Sequence, residues 1–298
     1  MHVLDDEGDA GVPGWLAGLG LPGIVDLHAH FMPDRVQAKV WAHFDRLDPP
    51  WPVSYRTGER ERLAALSALG VRHHTALAYS HRPGMAGWLD DHTLGLARSE
   101  PAVVPSFTFY PEPGVDEYVE RALAAGGSVA KIHLQVGKFD ANHPLLDRVW
   151  ARLAGGGVPV VLHAGAVQDG SGGDEWCGIG RVTRLLERFP ELRLVIAHLG
   201  APDYEDFIGL ASSTPTVMLD TANVFGGDAM LTEVQAWLVD KLGGLAAQIV
   251  FGSDFPTIQR PVSAQLAAID GLGLGDEWLR AVLWRNGGRL LGIAGPDW

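Results

Sequence analysis

The sequence predicts an α/β fold in the form of a (β/α)8 TIM-type barrel, and two patterns predict it. Short runs of strand-forming residues alternate with longer amphipathic segments, and this unit recurs eight times along the chain. Several of the short runs are apolar almost throughout, such as residues 158–162, as expected for parallel strands that are covered on both faces. An open, doubly wound parallel sheet is the alternative that the same alternation allows.

The eight predicted strands are runs of apolar or β-branched residues, most of which end near a polar residue or a turn. They cover residues 24–28, 71–79, 102–109, 129–134, 158–163, 192–198, 216–220 and 248–252. Amphipathic periodicity predicts helices between them, among them residues 60–69, 115–125, 145–153, 180–189 and 231–242. The glycines at 155–157 fit a helix end followed by a tight return to the fifth strand.

The length of 298 residues suits one barrel, so we predict a single domain over residues 1–298. Residues 1–22 precede the first strand as an acidic N-terminal extension that glycine and proline interrupt. The connection at residues 31–58 is long and rich in aromatic side chains. It fits either a lid over a substrate or a helical segment packed by its tryptophans.

The composition narrows the classes of partner. With 23 basic and 36 acidic residues the formal net charge is −13, and no basic stripe is present, so we expect no nucleic-acid partner. No apolar run is long enough to cross a membrane, and the N-terminus lacks the features of a signal peptide. The single cysteine, Cys177, excludes an internal disulfide and fits a reducing compartment. We therefore expect a cytoplasmic protein with neither a nucleic acid nor a membrane as partner.

Polar side chains follow the predicted strands where each strand ends. The first strand leads into Asp-Leu-His-Ala-His-Phe-Met-Pro at residues 26–33, in which His28 and His30 project to the same face of an extended chain. Because the carboxyl ends of parallel barrel strands lie on one face, we expect the polar residues at these ends to form one site. The later strand ends carry Lys131, His133, His163, His198, Asp220 and Asp254.

Each of these residues also has a plainer interpretation. A single histidine after an apolar strand is commonly a hydrogen-bonded rim residue, and the run Gly-Ser-Asp at 252–254 fits a turn or a helix cap. Lys131 fits a side chain that snorkels out of the barrel or pairs with a carboxylate, and His133 fits layer packing. Four histidines and one aspartate at four strand ends are harder to attribute to chance.

Three imidazoles and one carboxylate can hold a divalent cation and leave a position open for water. The pKa of that water falls from about 15.7 towards roughly 7, so hydroxide becomes available at neutral pH. Asp254 is the candidate for a ligand that also takes and returns the proton. His198 is the candidate for polarising a substrate oxygen or assisting the proton transfer.

These motifs resemble the amidohydrolase superfamily, in particular the branch that includes aminocarboxymuconate semialdehyde decarboxylase and several lactonases. The likeness extends from the run at 26–33 through Lys-Ile-His-Leu at 131–134, His163, His198 and Gly-Ser-Asp-Phe-Pro at 252–256. It ends at Asn-Gly-Gly-Arg-Leu-Leu-Gly, residues 286–292. The resemblance implies a distorted (β/α)8 barrel of the metal-dependent hydrolase type.

By position, the resemblance implies that one divalent metal, zinc or alternatively manganese, is bound by His28, His30, His163 and Asp254. His198 then matches the histidine that helps to activate the water or bind substrate. Other branches hold two metals with a carboxylated lysine, a place comparable to that of Lys131, with His133 beside it as a further metal or substrate contact. Some lactonases of this group keep similar histidines and work without a metal.

The expected activity is metal-dependent hydrolysis of a small lactone, ester or amide through a metal-activated water. The alternative enzyme is a metal-dependent non-oxidative decarboxylase of an unsaturated or aromatic carboxylic acid, because this branch uses nearly the same residues for both reactions. A barrel that binds metal and ligand without turnover is a third hypothesis.

Four residues near the predicted mouth loops are candidates for substrate contact: Arg82, Trp88, Trp176 and Asn223. The guanidinium of Arg82 would suit a substrate carboxylate because its donors form a fork. Each of the four equally fits surface or packing roles. The dimer habit of related proteins is an analogy for a homodimer, and the sequence leaves the oligomeric state open.

Overall fold

The computed structural model describes residues 3–166, 172–225 and 235–293. The chain divides into two compact units, of which the first comprises residues 1–74 and 220–298 and the second residues 75–219. Among the described residues, no helix has the length and apolar character needed to cross a membrane. The prediction of a single domain is not tested by this division and stays a prediction.

Strands and helices alternate along the chain, as the sequence predicts. In the described ranges the strands are β1 Ile24–Asp26, β2 Val71–Thr75, β3 Val103–Val104, β4 Ser106–Thr108, β5 Val129–His133, β6 Val160–His163, β7 Leu194–Ile196, β8 Val217–Asp220 and β9 Ile249–Val250.

Most helices are short and follow a strand. The α-helices of the described residues are α1 Val3–Glu7, α2 Val12–Gly18, α3 Asp34–Phe44, α4 Glu59–Ala68, α5 Ala86–Ser99, α6 Val115–Ala124, α7 Leu134–Gly137, α8 Asp147–Gly156, α9 Ile179–Arg188, α10 Tyr204–Ser213, α11 Ala236–Gly244, α12 Val262–Asp270, α13 Asp276–Arg280 and α14 Asn286–Leu291. A π-helical turn, Ala281–Arg285, joins α13 to α14. Of the helix predicted over 231–242, residues 231–234 lie outside the described part of the chain.

The strand pairs described within each unit are parallel. In the second unit β4, β5, β6, β7 and β8 pair in chain order, with Ala130 opposite Val160 and Leu194 opposite Val217. In the first unit β1 pairs with β2. The residues of β6 are all buried, which confirms the prediction that its apolar run is covered on both faces. Parallel strands with intervening helices confirm the α/β class.

The observed strands are shorter than the predicted runs, and side chains explain two of these differences. The run predicted over 102–109 is interrupted at Pro105, which has no N–H to donate, and forms β3 and β4. The run predicted over 71–79 ends at Thr75, since the next amide, of Ala76, donates to the hydroxyl of Ser106 instead of a strand carbonyl. A side-chain hydroxyl therefore replaces the strand carbonyl as acceptor where β2 ends.

The described part of the N-terminal extension packs against C-terminal elements of the first unit, to which it belongs. The indole of Trp15 in α2 donates to Asp270 at 3.1 Å, and the Arg280 guanidinium donates to the carbonyl of Leu19 at 2.7 Å. The long connection at 31–58 begins with helix α3, and the indole of Trp51 donates to the carbonyl of Thr257 at 3.2 Å. Its helical segment and tryptophan contact match the packing interpretation of that connection.

A buried carboxyl group holds the end of β4 in the second unit. Asp90 of α5 is 5% exposed, and its Oδ1 accepts a hydrogen bond from the amide of Thr108 at 2.7 Å. Burial raises the pKa of Asp90 from 3.8 to about 8, an effect that the Thr108 amide partly offsets. Asp90 is therefore protonated in the folded protein at neutral pH.

We expect Asp90 to make the protein less stable as the pH rises from about 4 to about 8. The folded state keeps this proton up to pH 8, whereas the unfolded chain loses it near pH 4, so the unfolded state binds fewer protons between these values. The slope from one such group is at most about 1.4 kcal/mol per pH unit. Urea unfolding of wild type and Asp90→Asn at pH 5, 6, 7, 8 and 9 measures it.

The free energy of unfolding of wild type minus that of Asp90→Asn should fall from pH 5 to pH 8 and level off above pH 8. Asp91→Asn is the matched control, because Asp91 is the exposed neighbour of Asp90 on the same helix. Parallel pH profiles for wild type and Asp90→Asn would contradict the assignment.

Candidate metal centre

The two histidines of the first motif lie on an extended segment that continues β1. The amide of Leu27 donates to the carbonyl of Phe251 at 2.9 Å, and that of His30 donates to the carbonyl of Phe255 at 2.7 Å. A parallel bridge joins Ala29 to Phe255 between them. Because this segment is extended, His28 and His30 point to the same side, as predicted.

Three predicted ligands meet in the first unit. The Nε2 atoms of His28 and His30 are 3.2 Å apart, and Oδ1 of Asp254 lies 3.2 Å from the His30 atom and 3.5 Å from the His28 atom. The side chains of His28 and His30 are 1% and 10% exposed, whereas that of Asp254 is 18% exposed. The carboxylate is therefore the member of this triangle with the best access to solvent.

The triangle of donor atoms fits a bound zinc ion. Zinc lies about 2.0–2.1 Å from imidazole nitrogen and carboxylate oxygen in tetrahedral sites, which places two ligand atoms about 3.3 Å apart. The three observed edges of 3.2, 3.2 and 3.5 Å match one face of such a tetrahedron. Two nitrogens and one oxygen are also a donor set that zinc accepts.

Asp220 orients the first of these ligands, a role that the sequence did not reveal. Its Oδ2 lies 2.8 Å from Nδ1 of His28, and its Oδ1 accepts from the amide of Ala222 at 3.1 Å. A carboxylate on Nδ1 keeps the proton there and leaves the lone pair of Nε2 directed at the other donors. The signal in the sequence was an acidic residue at the end of a buried apolar strand.

We expect Asp220→Asn to weaken metal binding about 10- to 100-fold, the usual cost of losing a carboxylate behind a ligating histidine. An amide at this position no longer enforces one tautomer of His28. Competition with a chromogenic chelator gives the zinc dissociation constant. Asp240→Asn, on the exposed face of α11, makes the same chemical change away from the ligands and should leave the constant unchanged. Equal constants for the two variants would contradict this role.

A second buried carboxylate connects the histidine segment to the loop that bears Asp254. Oδ1 of Asp26 accepts from the amides of His28 at 3.0 Å and Ser253 at 3.1 Å, and its Oδ2 accepts from the Ser253 hydroxyl at 2.5 Å. Burial raises the pKa of Asp26 to about 6, while the hydrogen bonds from Ser253 and His28 act in the opposite direction. Ser253 is thus a second residue whose role the sequence did not reveal.

The residue types of the Gly-Ser-Asp run follow from this close packing. A Cβ on Gly252 would lie 2.7 Å from the Cβ of His28 and 3.1 Å from that of Ala222, so only glycine fits. Asp254 has φ of +61°, a left-handed conformation that costs free energy for residues other than glycine. Strain of this kind persists where the surroundings hold it, here beside His28 and His30.

In the second unit, three predicted histidines lie together. His133 of β5 is opposite His163 of β6, and their rings stack with centroids 3.7 Å apart and planes 17° apart. The ring of His198 meets that of His163 edge-on at 5.0 Å. His198 also has a left-handed backbone, with φ of +57°.

Lys131 is 1% exposed and lies two residues before His133 on β5, so it is buried and does not snorkel into solvent. A second metal around Lys131 stays a prediction. The assignments of His163 as a ligand and His198 as a catalytic group stay predictions as well.

The four candidates for substrate contact have different environments. Arg82 is exposed, Trp88 is half-buried in α5, and the ring of Trp176 lies 5.3 Å beneath the guanidinium of Arg181. Asn223 is 5% exposed, has φ of +50° and belongs to the same unit as the donor triangle. The Arg181 contact gives Trp176 a packing role, and substrate contact by the four stays a prediction.

Comparison with known proteins identifies the chain's relatives. A family model described as amidohydrolase matches residues 25–293. No curated protein sequence matches the chain.

Solved structures resemble this one over most of its length. An uncharacterised TIM-barrel protein from Bordetella bronchiseptica has a TM-score of 0.72 and 17% identity, covering 92% of this chain and 100% of its own. The structure of 5-carboxyvanillate decarboxylase from Sphingomonas paucimobilis has a TM-score of 0.65 and 17% identity, covering 92% of this chain and 100% of its own. A probable 2-pyrone-4,6-dicarboxylic acid hydrolase from Acinetobacter baumannii has a TM-score of 0.59 and 15% identity, covering 91% of this chain and 99% of its own. These likenesses confirm the TIM-barrel fold class.

Proposed function

The chain belongs to the amidohydrolase family, a family of enzymes, and from that premise we propose that it is a metal-dependent hydrolase of a small lactone, ester or amide. The triangle formed by Nε2 of His28, Nε2 of His30 and Oδ1 of Asp254 is the observation that carries this proposal. Its edges and donor types fit a divalent metal. We propose zinc as this metal, with manganese as the alternative, and His163 as a further ligand.

The environment of each side chain indicates which role it has in the reaction. A divalent cation, when bound, polarises a carbonyl oxygen and lowers the pKa of a coordinated water to about 7. His28 keeps its Nδ1 proton against Asp220, so its Nε2 serves as a metal ligand and the ring does not shuttle protons. Asp254 has the most exposed side chain of the triangle, so its carboxylate can take a proton from water and return it to the leaving group. We assign His198 to steadying the substrate oxygen as it becomes negative.

A decarboxylase is the second candidate, which the structural likeness to 5-carboxyvanillate decarboxylase favours. In that reaction, the ligands would place a substrate oxygen, and Asp254 would hold the proton that is delivered to a ring carbon as carbon dioxide leaves. The same residues serve either reaction, because both need an anchored oxygen and a movable proton.

Isotope labelling distinguishes the two reactions. The zinc-loaded protein is screened against aryl esters, lactones, anilides and aromatic carboxylic acids, and each conversion is repeated in water enriched in oxygen-18 and in deuterium oxide. Solvent oxygen in the new carboxyl group supports the hydrolase. Release of carbon dioxide with deuterium on carbon identifies the decarboxylase and overturns our first choice. Asp254→Asn, run in parallel, shows that the turnover belongs to this site.

A further inference from the structure

A phenol–carboxylate pair joins the N-terminal extension to the long connection after β1. The hydroxyl of Tyr55 donates to Oδ2 of Asp9 at 2.5 Å and accepts from the amide of Val262 at 2.8 Å. Oδ1 of Asp9 accepts from the amide of Ser263 at 3.1 Å. Burial and the Asp9 carboxylate both raise the pKa of the Tyr55 hydroxyl, so it remains a donor at neutral pH.

The ring of Tyr55 reaches the loop that bears the metal-binding carboxylate. It packs on Phe255 with centroids 4.7 Å apart, and Phe255 directly follows Asp254. The carbonyl of Phe255 accepts from the amide of His30 at 2.7 Å. Phe255 is fully buried, held by Tyr55 through its ring and by His30 through its backbone.

Neighbouring residues of the same connection hold the chain just beyond this loop. Trp51 donates through its indole to the carbonyl of Thr257, and the amide of Ser54 donates to the carbonyl of Ile258 at 2.9 Å. The amide of Thr257 in turn donates to the carbonyl of Asp254 at 3.1 Å. The backbone of Asp254 is therefore held on its C-terminal side, and on its N-terminal side its own amide donates to the carbonyl of His28 at 2.7 Å.

We propose that Asp9 and Tyr55 are positioning residues of the metal centre, which hold Phe255 so that Oδ1 of Asp254 stays within 3.2 Å of the His30 nitrogen. The N-terminal extension, which the family match at 25–293 does not include, thereby becomes part of the working site. The inference depends on the metal-binding part of the proposed function. The structural basis of the inference is the left-handed backbone conformation of Asp254, which persists only where its surroundings hold it.

Two measurements on Tyr55→Phe, Asp9→Ala and the double variant test the proposal. The first is the zinc dissociation constant, from competition with a chromogenic chelator. The second is hydrogen exchange of the peptide over residues 250–258 in metal-free protein. Each single variant should weaken zinc binding about tenfold, the lower end of the range for residues behind a ligand, and speed exchange in this peptide about tenfold. The double variant should be no worse than either single one, because both act through one contact.

Trp15→Phe is the matched control, since Trp15 ties the same extension to Asp270, outside residues 250–258. It should leave the zinc constant and the exchange of this peptide within twofold of wild type. Equal zinc constants in all variants, or an equal loss in the Trp15→Phe control, would overturn the inference. Wild-type protein that binds no zinc would overturn the metal-dependent function, and the exchange data alone would then decide the positioning role.

Discussion

Replacing Asp254 by asparagine is expected to lower kcat/KM about a thousandfold while much of the metal stays bound. Asparagine is nearly the same size and keeps an oxygen that can face the cation, but it cannot accept and return a proton. General acid–base groups contribute roughly 10²–10⁴-fold to the rate. The measurement is kcat/KM on the best substrate of the screen, together with metal content by elemental analysis of the same sample.

The two readouts separate the two roles of Asp254. Asp45→Asn is the matched control, because Asp45 is an exposed residue of the same unit, paired with Arg56, and the variant makes the same change in charge. Activity of Asp254→Asn within tenfold of wild type at full metal content would show that another group carries the proton. Loss of metal and activity together would show that the carboxylate serves mainly as a ligand.

The fold was largely predictable because its signals are local. Apolar runs mark strands wherever helices cover both faces, and every predicted strand contains an observed one. The differences arise from side chains that compete with backbone pairing. Pro105 interrupts one strand, and Ser106 ends another by accepting from the Ala76 amide, 30 residues away in sequence. Neither effect follows from hydrophobic periodicity.

The three residues of the donor triangle could be predicted from the sequence, but the residues that hold them in place could not. Two histidines two apart in a strand must share a face, and Gly-Ser-Asp at a later strand end supplies the carboxylate. The partnership of Asp220 with His28 joins residues 192 apart in the sequence. It depends on the rotamer of one imidazole, and residue order does not determine that rotamer.

The role of residues 1–22 could not be read from composition. Glycine, proline and acidic residues there predict a separate extension, and the separation of Asp9 from Tyr55 is 46 residues. Only the packed structure brings that carboxylate to the phenol. A weakly patterned segment can therefore contribute to a site through one hydrogen bond and one ring contact.

Replacing His28 by alanine is expected to remove the metal almost completely, from about one ion per chain to a small fraction. Losing a direct ligand should cost more than the 10- to 100-fold that an outer partner costs, so zinc affinity should fall by more than about a hundredfold. Elemental analysis of protein purified without chelators or a histidine tag measures this. His43→Ala, on helix α3 of the same unit, is the control for loss of an imidazole.

The effect on folding must be kept apart from the effect on metal, because His28→Ala takes from the fully buried Asp220 carboxylate its partner at 2.8 Å. A buried polar group that loses a partner destabilises by about 1–3 kcal/mol. His30→Ala removes another donor of the triangle and leaves the His28–Asp220 pair in place. Both variants should lose the metal, and His28→Ala should also melt at a lower temperature. A His30→Ala protein that keeps its full complement of metal would show that the triangle is not the binding site, whatever the stability of His28→Ala.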